Sequence, residues 1–166
     1  MNLHHPLRTV ALCAMLTLLV ACSSKVERVQ SGLEKGADYV RLADWDKANV
    51  EVRNVLQIDP KNAQAYFISG QIAEGKRDLQ RAFGSYSKAV ELKPDHIDAK
   101  VGLARVYLFA GEVDKSSQAV TEVLAVDARH MGARTMQAAL LSRQGKVPEA
   151  ITLAQTLINE QKDAPV

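Results

Sequence analysis

Small and apolar residues after residue 30 recur at helical spacing and are separated by short polar breaks. Asp44, Asn62 and Asp78 end three of these breaks as N-caps, and Asp59-Pro60 stops a helix because the residue before proline avoids the α conformation. Residues 24–27 have capping-box spacing, which favours an early start for the first helix. The pattern predicts helices near 31–43, 45–57, 63–75, 79–92, 97–109, 113–126, 130–143 and 148–160.

The same residue types return every 34 positions, with small residues, aromatic residues and a closing proline in a fixed order. The clearest matches are Gly36 with Gly70, Ala48 with Ala82, and Pro60 with Pro94. Four units are predicted, near 29–62, 63–96, 97–130 and 131–162. This period and order resemble the tetratricopeptide (TPR) repeat. The resemblance implies an all-α solenoid, a right-handed superhelix of about four helix-turn-helix repeats, with the TPR domain over residues 31–162.

Composition and charge argue against a nucleic-acid partner. The 166 residues carry 21 basic and 19 acidic side chains, for a net charge of +2, and no basic run is interleaved with aromatic residues. Hydrophobic residues make up 47% of the chain and aromatic residues only 5%. This balance suits closely packed helices.

The first 21 residues are predicted to be a signal peptide. Arg8 precedes an apolar stretch over 10–20 that is too short to span a bilayer. Leu19-Val20-Ala21-Cys22 resembles the lipobox of bacterial lipoproteins, which implies cleavage before Cys22 and acylation of its thiol; the alternative is an ordinary signal peptide with a chance cysteine. Residues 22–30 would form a lipidated tether and 163–166 a tail. Lipoproteins of this kind that stay at the inner membrane usually have aspartate after the cysteine, so the resemblance implies that Ser23 favours the outer membrane.

Motifs for catalysis, metal binding or cofactor binding are absent from the sequence. There is no His-Glu-x-x-His, no Gly-x-Ser-x-Gly, no Walker loop and no dinucleotide fingerprint. His96 and His130 stand at helix starts one repeat apart, so the repeat explains both without a metal. We therefore expect a protein that is not an enzyme and that needs no cofactor and no metal.

The resemblance implies that the first helix of each repeat lines a concave face offered to a protein or peptide. The family's groove positions here hold a mixed apolar and basic set, namely Arg41, Gln64, Phe67, Gln71, Arg105, Leu108, Phe109 and Arg143. Arginines would hold carboxylates or carbonyl groups of the partner, and aromatic rings would anchor apolar side chains. In the alternative interpretation, Phe67 and Phe109 pack between repeats and the arginines are solvated. Chaperone-binding members of the family use a carboxylate clamp of lysines and asparagines. That clamp is missing here, because Phe67 and Arg105 are among the residues at the corresponding positions.

The last predicted helix carries more apolar residues than one neighbouring helix can cover, namely Ile151, Leu153, Leu157 and Ile158. Three explanations stay open: the array continues in a longer protein, a partner covers this end, or the chain associates with itself.

The resemblance to bacterial TPR lipoproteins implies a non-catalytic scaffold that faces the periplasm and holds a cell-envelope protein near the membrane. Residues 50–60 are similar to the first repeat of lipoproteins from exopolysaccharide and PEP-CTERM export systems. The alternatives are a pilotin-like lipoprotein of type IV pilus assembly and an accessory regulator of a cell-wall enzyme.

Overall fold

The computed structural model describes residues 25–162, and eight helices make up the regular structure in this range. They are α1 (25–41), α2 (Trp45–Ile58), α3 (Ala63–Gly75), α4 (Leu79–Leu92), α5 (Ile97–Phe109), α6 (Val113–Val126), α7 (Met131–Arg143) and α8 (Val147–Lys162). The predicted all-α fold is confirmed, with boundaries close to the predicted ones. The chain is already helical at residue 25, six positions before the predicted start at residue 31, which agrees with the capping-box spacing over 24–27. The signal peptide, Cys22 and the tail lie outside the described residues.

Side-chain caps begin several helices, as the sequence predicts. Asp44 accepts a hydrogen bond from the backbone N–H of Lys47 at 3.2 Å, and Asp78 accepts one from Arg81 at 3.0 Å. Each cap satisfies one N–H that the first turn of a helix leaves without a partner. The N-caps of α3, α5 and α7 are Asn62, His96 and His130, which stand one repeat apart.

The turn inside each helical hairpin contains one residue with a positive φ. These residues are Ala43 (55°), Arg77 (61°), Gly111 (81°) and Gly145 (77°). Only glycine adopts this conformation without steric cost, which for other residues amounts to about 1–2 kcal/mol. The first two hairpins therefore hold a strained residue where the last two hold glycine.

The chain divides into two units, of which the first ends at Lys61. Its helices α1 and α2 bury Ala48, Val52 and Val55. A Cβ atom on Gly32 would come within 2.6 Å of Cγ2 of Val55, so this glycine allows the two helices to approach closely.

The second unit, which starts at Asn62, contains three helical hairpins: α3–α4, α5–α6 and α7–α8. Successive hairpins pack through α4 on α5 and through α6 on α7, while α5 also touches both α3 and α7. Two core clusters lie among the described residues of this unit. One is centred on Tyr86, Ala89 and Ala99, and the other on Val120, Val123 and Leu140.

Tyr86 joins three helices of the second unit and has no exposed surface. Added Cβ atoms on Gly70 of α3 and Gly102 of α5 would lie 2.4 Å and 2.7 Å from its ring. The ring therefore fills a space that two glycines leave open. Its hydroxyl donates a hydrogen bond to Oε2 of Glu74 at 2.7 Å.

We expect Gly84→Ala to stabilise the protein by about 0.5–1 kcal/mol, because Gly84 lies inside α4 and an added Cβ would meet nothing within 4 Å beyond its neighbours and its own helix backbone. Gly111→Ala is the matched control. Its Cβ also meets open space, but the φ of +81° should make it destabilising by about 1 kcal/mol. Urea unfolding followed by circular dichroism measures both changes. Shifts of the same sign would contradict this explanation.

We expect Tyr86→Phe to lower the free energy of unfolding by about 1–2 kcal/mol, because the hydrogen bond to the Glu74 carboxylate is lost while the ring still fills its space. The matched control is Tyr107→Phe. Within residues 25–162 the ring of Tyr107 meets Phe83 and Lys115, and its hydroxyl makes no hydrogen bond to protein. The control should therefore change the free energy by less than about 0.5 kcal/mol. Equal losses in the two variants would show that the hydrogen bond contributes nothing.

Candidate partner-binding site

Glu74 on α3 brings together side chains from two other helices. Besides the hydrogen bond from Tyr86, its Oε1 lies 3.3 Å from Nε of Arg105 on α5. The Glu74 side chain is 15% exposed and that of Arg105 is 42% exposed. An opposite charge and a hydroxyl donor thus stabilise a carboxylate that is largely removed from water.

The hydroxyl of Tyr86 remains protonated under ordinary conditions. Burial raises the pKa of Tyr86, and its hydrogen bond to the Glu74 carboxylate raises that pKa further. The hydroxyl is therefore a permanent donor to Glu74, and the position of the carboxylate does not depend on pH through this group.

A cavity of about 480 Å³ opens beside Glu74 where the α3–α4 turn meets the end of α5. We call it the Phe109 pocket, and it is lined by Glu74, Gly75, Arg77, Leu79 and Phe109. Phe109 is 63% exposed and Leu79 is 36% exposed. The pocket therefore combines an exposed ring, an aliphatic side chain and a basic side chain from the strained turn position.

Two of the predicted groove residues take part in packing between repeats. The Phe67 ring lies 5.9 Å from the Tyr86 ring and 5.0 Å from the His96 ring, measured between centroids. Oε1 of Gln64 lies 3.1 Å from Nε2 of His96. For Phe67 the structure agrees with the alternative interpretation from the sequence, in which the ring packs between repeats.

The other predicted groove residues of the second unit differ in exposure. Leu108 packs against the core cluster of α5, α6 and α7, and Gln71 is half-buried. Phe109 remains largely exposed, and Arg143 is exposed at the end of α7. Phe109 thus lines the Phe109 pocket, and Arg105 pairs with Glu74 in the pocket wall. A binding role for any of these residues stays a prediction.

Arg41 belongs to the first unit, where its guanidinium pairs with Asp38 on the same helix. Both side chains are more than half exposed. In the last helix, Leu157 is buried and Leu153 half-buried, while Ile151 and Ile158 are 63% and 48% exposed. The predicted apolar face of that helix is therefore present, and self-association through it stays a prediction.

Sequence reasoning missed Arg77 and Leu79 as lining residues, because they lie at the turn rather than on the first helix of a repeat. One signal could have identified Arg77. The 34-residue period places it at the position of Gly111 and Gly145, where glycine suits the turn.

Within residues 25–162, no group of three or more His, Cys, Asp and Glu side chains is placed to hold a metal ion. No helix in that same range is both long enough and apolar enough to cross a membrane.

Comparisons with known proteins identify the repeat type. Residues 29–163 match the family described as the cytochrome c-type biogenesis protein H TPR domain. The putative cytochrome c-type biogenesis protein CcmH of Haemophilus influenzae is 34% identical over 67 residues, which are 40% of this chain and 15% of that protein. BBSome complex member BBS4 of Bos taurus is 27% identical over 117 residues, or 70% of this chain and 22% of that protein. The chain thus spans less than a quarter of the length of either relative.

Solved structures agree on the fold. The MamA protein superposes with a TM-score of 0.64 at 20% identity, over 98% of this chain and 96% of MamA. A thermophilic TPR protein of Thermus thermophilus gives 0.68 at 16% identity, over 81% of this chain and 75% of its own. These likenesses establish an all-α TPR solenoid, as predicted. The match over residues 29–163 covers most of the chain, which therefore belongs to the family of the cytochrome c-type biogenesis protein H TPR domain.

Proposed function

We propose that this protein is a non-catalytic scaffold that is lipid-anchored through Cys22, faces the periplasm and holds a protein partner at the cell envelope. TPR domains bind protein partners, and the present chain has such a domain. The observation that carries the proposal is the Phe109 pocket. Its Phe109 ring is 63% exposed and lines a cavity next to Glu74, whose carboxylate is paired with Arg105.

The pocket suits a partner segment with an apolar side chain next to an acidic or carbonyl group. Leu79 and Phe109 supply apolar surface for the partner's apolar side chain. Nε of Arg105 is used by Glu74, and the terminal nitrogens of its planar guanidinium can donate to a carboxylate or carbonyl oxygen. Since the charge of Arg105 already balances that of Glu74, the nearby Arg77 gives the pocket mouth a positive character.

The family match favours one class of partner over the alternatives that the sequence leaves open. A role in the assembly of c-type cytochromes is supported by the match over residues 29–163 and by the Haemophilus influenzae relative. A role in an exopolysaccharide or PEP-CTERM export system is supported only by the similarity of residues 50–60. The pilotin-like and cell-wall roles are supported only by the general plan of an anchored TPR array.

We expect Phe109→Ala to weaken capture of the partner at least tenfold in a pull-down from envelope extracts with the full-length lipidated protein. Truncating an aromatic anchor in a binding pocket commonly costs about 2 kcal/mol or more. The matched control is Phe83→Ala, which removes a ring that is 40% exposed on α4 and lies outside the Phe109 pocket. Thermal melts of both variants check that they are folded.

The pull-down also separates the alternatives. A captured cytochrome-assembly protein, export protein, pilus protein or peptidoglycan synthase would identify the system. Equal capture by Phe109→Ala and the parent would place the binding surface elsewhere. Loss of capture only when Ile151 and Ile158 are made polar would assign it to α8 instead, where both are exposed.

We expect the parent and a Cys13→Ser variant to incorporate a fatty-acid analogue and to sediment with membranes. A Cys22→Ser variant should incorporate none and should be released from the membrane after cleavage or remain unprocessed. The reason is that the proposed acyl chains attach to the thiol of Cys22, whereas Cys13 leaves with the signal peptide. Labelling that persists in Cys22→Ser would refute the proposed anchor.

A further inference from the structure

His96 caps α5 and at the same time connects the second and third repeats. Its Nδ1 accepts a hydrogen bond from the backbone N–H of Ala99 at 3.3 Å, and its Nε2 lies 3.1 Å from Oε1 of Gln64 on α3. A backbone N–H can only donate, so Nδ1 carries no proton. The proton of the neutral ring must then be on Nε2, where it donates to the amide oxygen of Gln64.

The cap requires the neutral ring, whereas a charged ring could still donate from Nε2 to Gln64. A second proton could attach only at Nδ1, where it would point at the N–H of Ala99 and break the cap. The added positive charge would also lie at the N-terminus of α5, where the helix dipole disfavours cations. The side chain has little access to compensating water, because His96 is only 8% exposed.

We propose that His96 is an acid-sensitive clamp between the second and third repeats: protonation of Nδ1 breaks its cap on α5, and the ring is then displaced from Gln64. The clamp lies at the N-terminal ends of α3 and α5, and Glu74 and Arg105 join the same two helices further along. Opening the clamp would loosen the joint that holds the Phe109 pocket. The stability part of this inference is independent of the proposed function.

The groups that face His96 support this behaviour. From α3 it meets the neutral amide of Gln64 and the ring of Phe67. Burial lowers the pKa of His96, and Lys93 lowers it further, whereas Asp98, a hydrogen bond to its own backbone and Asp95 raise it. The folded protein thus favours the neutral ring, whereas the unfolded chain takes up a proton near the ordinary pKa of 6.5. Stability from this residue is complete above that pH and declines as the pH falls below it.

His130 occupies the equivalent place one repeat later and provides an internal control. Its Nδ1 also caps a helix, accepting from Ala133 at 3.2 Å, but its Nε2 lies 3.2 Å from Oδ1 of Asp98. A carboxylate accepts a stronger hydrogen bond from a charged imidazole than from a neutral one. The contact of His130 between repeats therefore ends on a carboxylate, whereas that of His96 ends on an amide, so His130→Asn serves as the control for His96→Asn.

The test compares the full-length parent with His96→Asn and His130→Asn between about pH 7.5 and pH 5.5, across the ordinary histidine pKa. Asparagine suits the position because Asn62 caps α3 at the equivalent place in the previous repeat. In the parent, the unfolding equilibrium constant should rise by up to about tenfold per pH unit below about 6.5. In His96→Asn this part of the rise should be absent, while His130→Asn should keep it. Amide exchange at Ala99 should show the same ranking.

Gln64→Glu provides a second variant that does not alter the histidine. A carboxylate facing Nε2 would reproduce the arrangement of Asp98 and His130 and stabilise the charged ring. The rise of the unfolding constant between about pH 6.5 and pH 5.5 should then shrink at least threefold. Identical pH profiles in the parent, His96→Asn and Gln64→Glu would overturn the clamp, as would a profile that changes only in His130→Asn.

Discussion

Tyr86 is the side chain on which the arrangement of the second unit depends. A phenol ring without exposed surface needs neighbouring helices that leave room for it, and Gly70 and Gly102 provide that room on α3 and α5. The hydroxyl then needs a partner inside the protein, because a buried polar group without one is costly. Glu74 supplies this partner and in turn faces Arg105. One residue therefore lies where three helices approach closely and also holds the carboxylate that lines the Phe109 pocket.

The joint between α3 and α5 is held by polar contacts at two levels. The amide of Gln64 meets His96 near the start of the helices, and the carboxylate of Glu74 meets Arg105 near their ends. Phe67 lies between these levels and touches both the Tyr86 and the His96 rings. The apolar and polar contacts thus follow one another along the whole joint.

Most of the fold could be predicted from the sequence because each repeat carries its own stop and start signals. Asp44, Asn62 and Asp78 cap helices as predicted, since a capping side chain bonds to a backbone N–H three residues along and needs no tertiary context. The site was harder to predict. The place of a residue in the repeat indicates which way its side chain points but not how exposed the side chain is. Phe67 is packed against Tyr86, whereas Phe109 is exposed. Exposure depends on neighbours one repeat away, and a single-repeat pattern does not describe them.

Arg77 shows that equivalent turns in the array are not interchangeable. Gly111 and Gly145 occupy the same turn position in later repeats and adopt a positive φ without strain, but they contribute no side chain. Arg77 adopts the same backbone conformation at a steric cost and lines the Phe109 pocket. A glycine at residue 77 would make the turn easier to form and would remove a cation from the pocket wall. The features that distinguish this repeat array from others therefore include a turn residue, which lies outside the helices that supply the predicted groove residues.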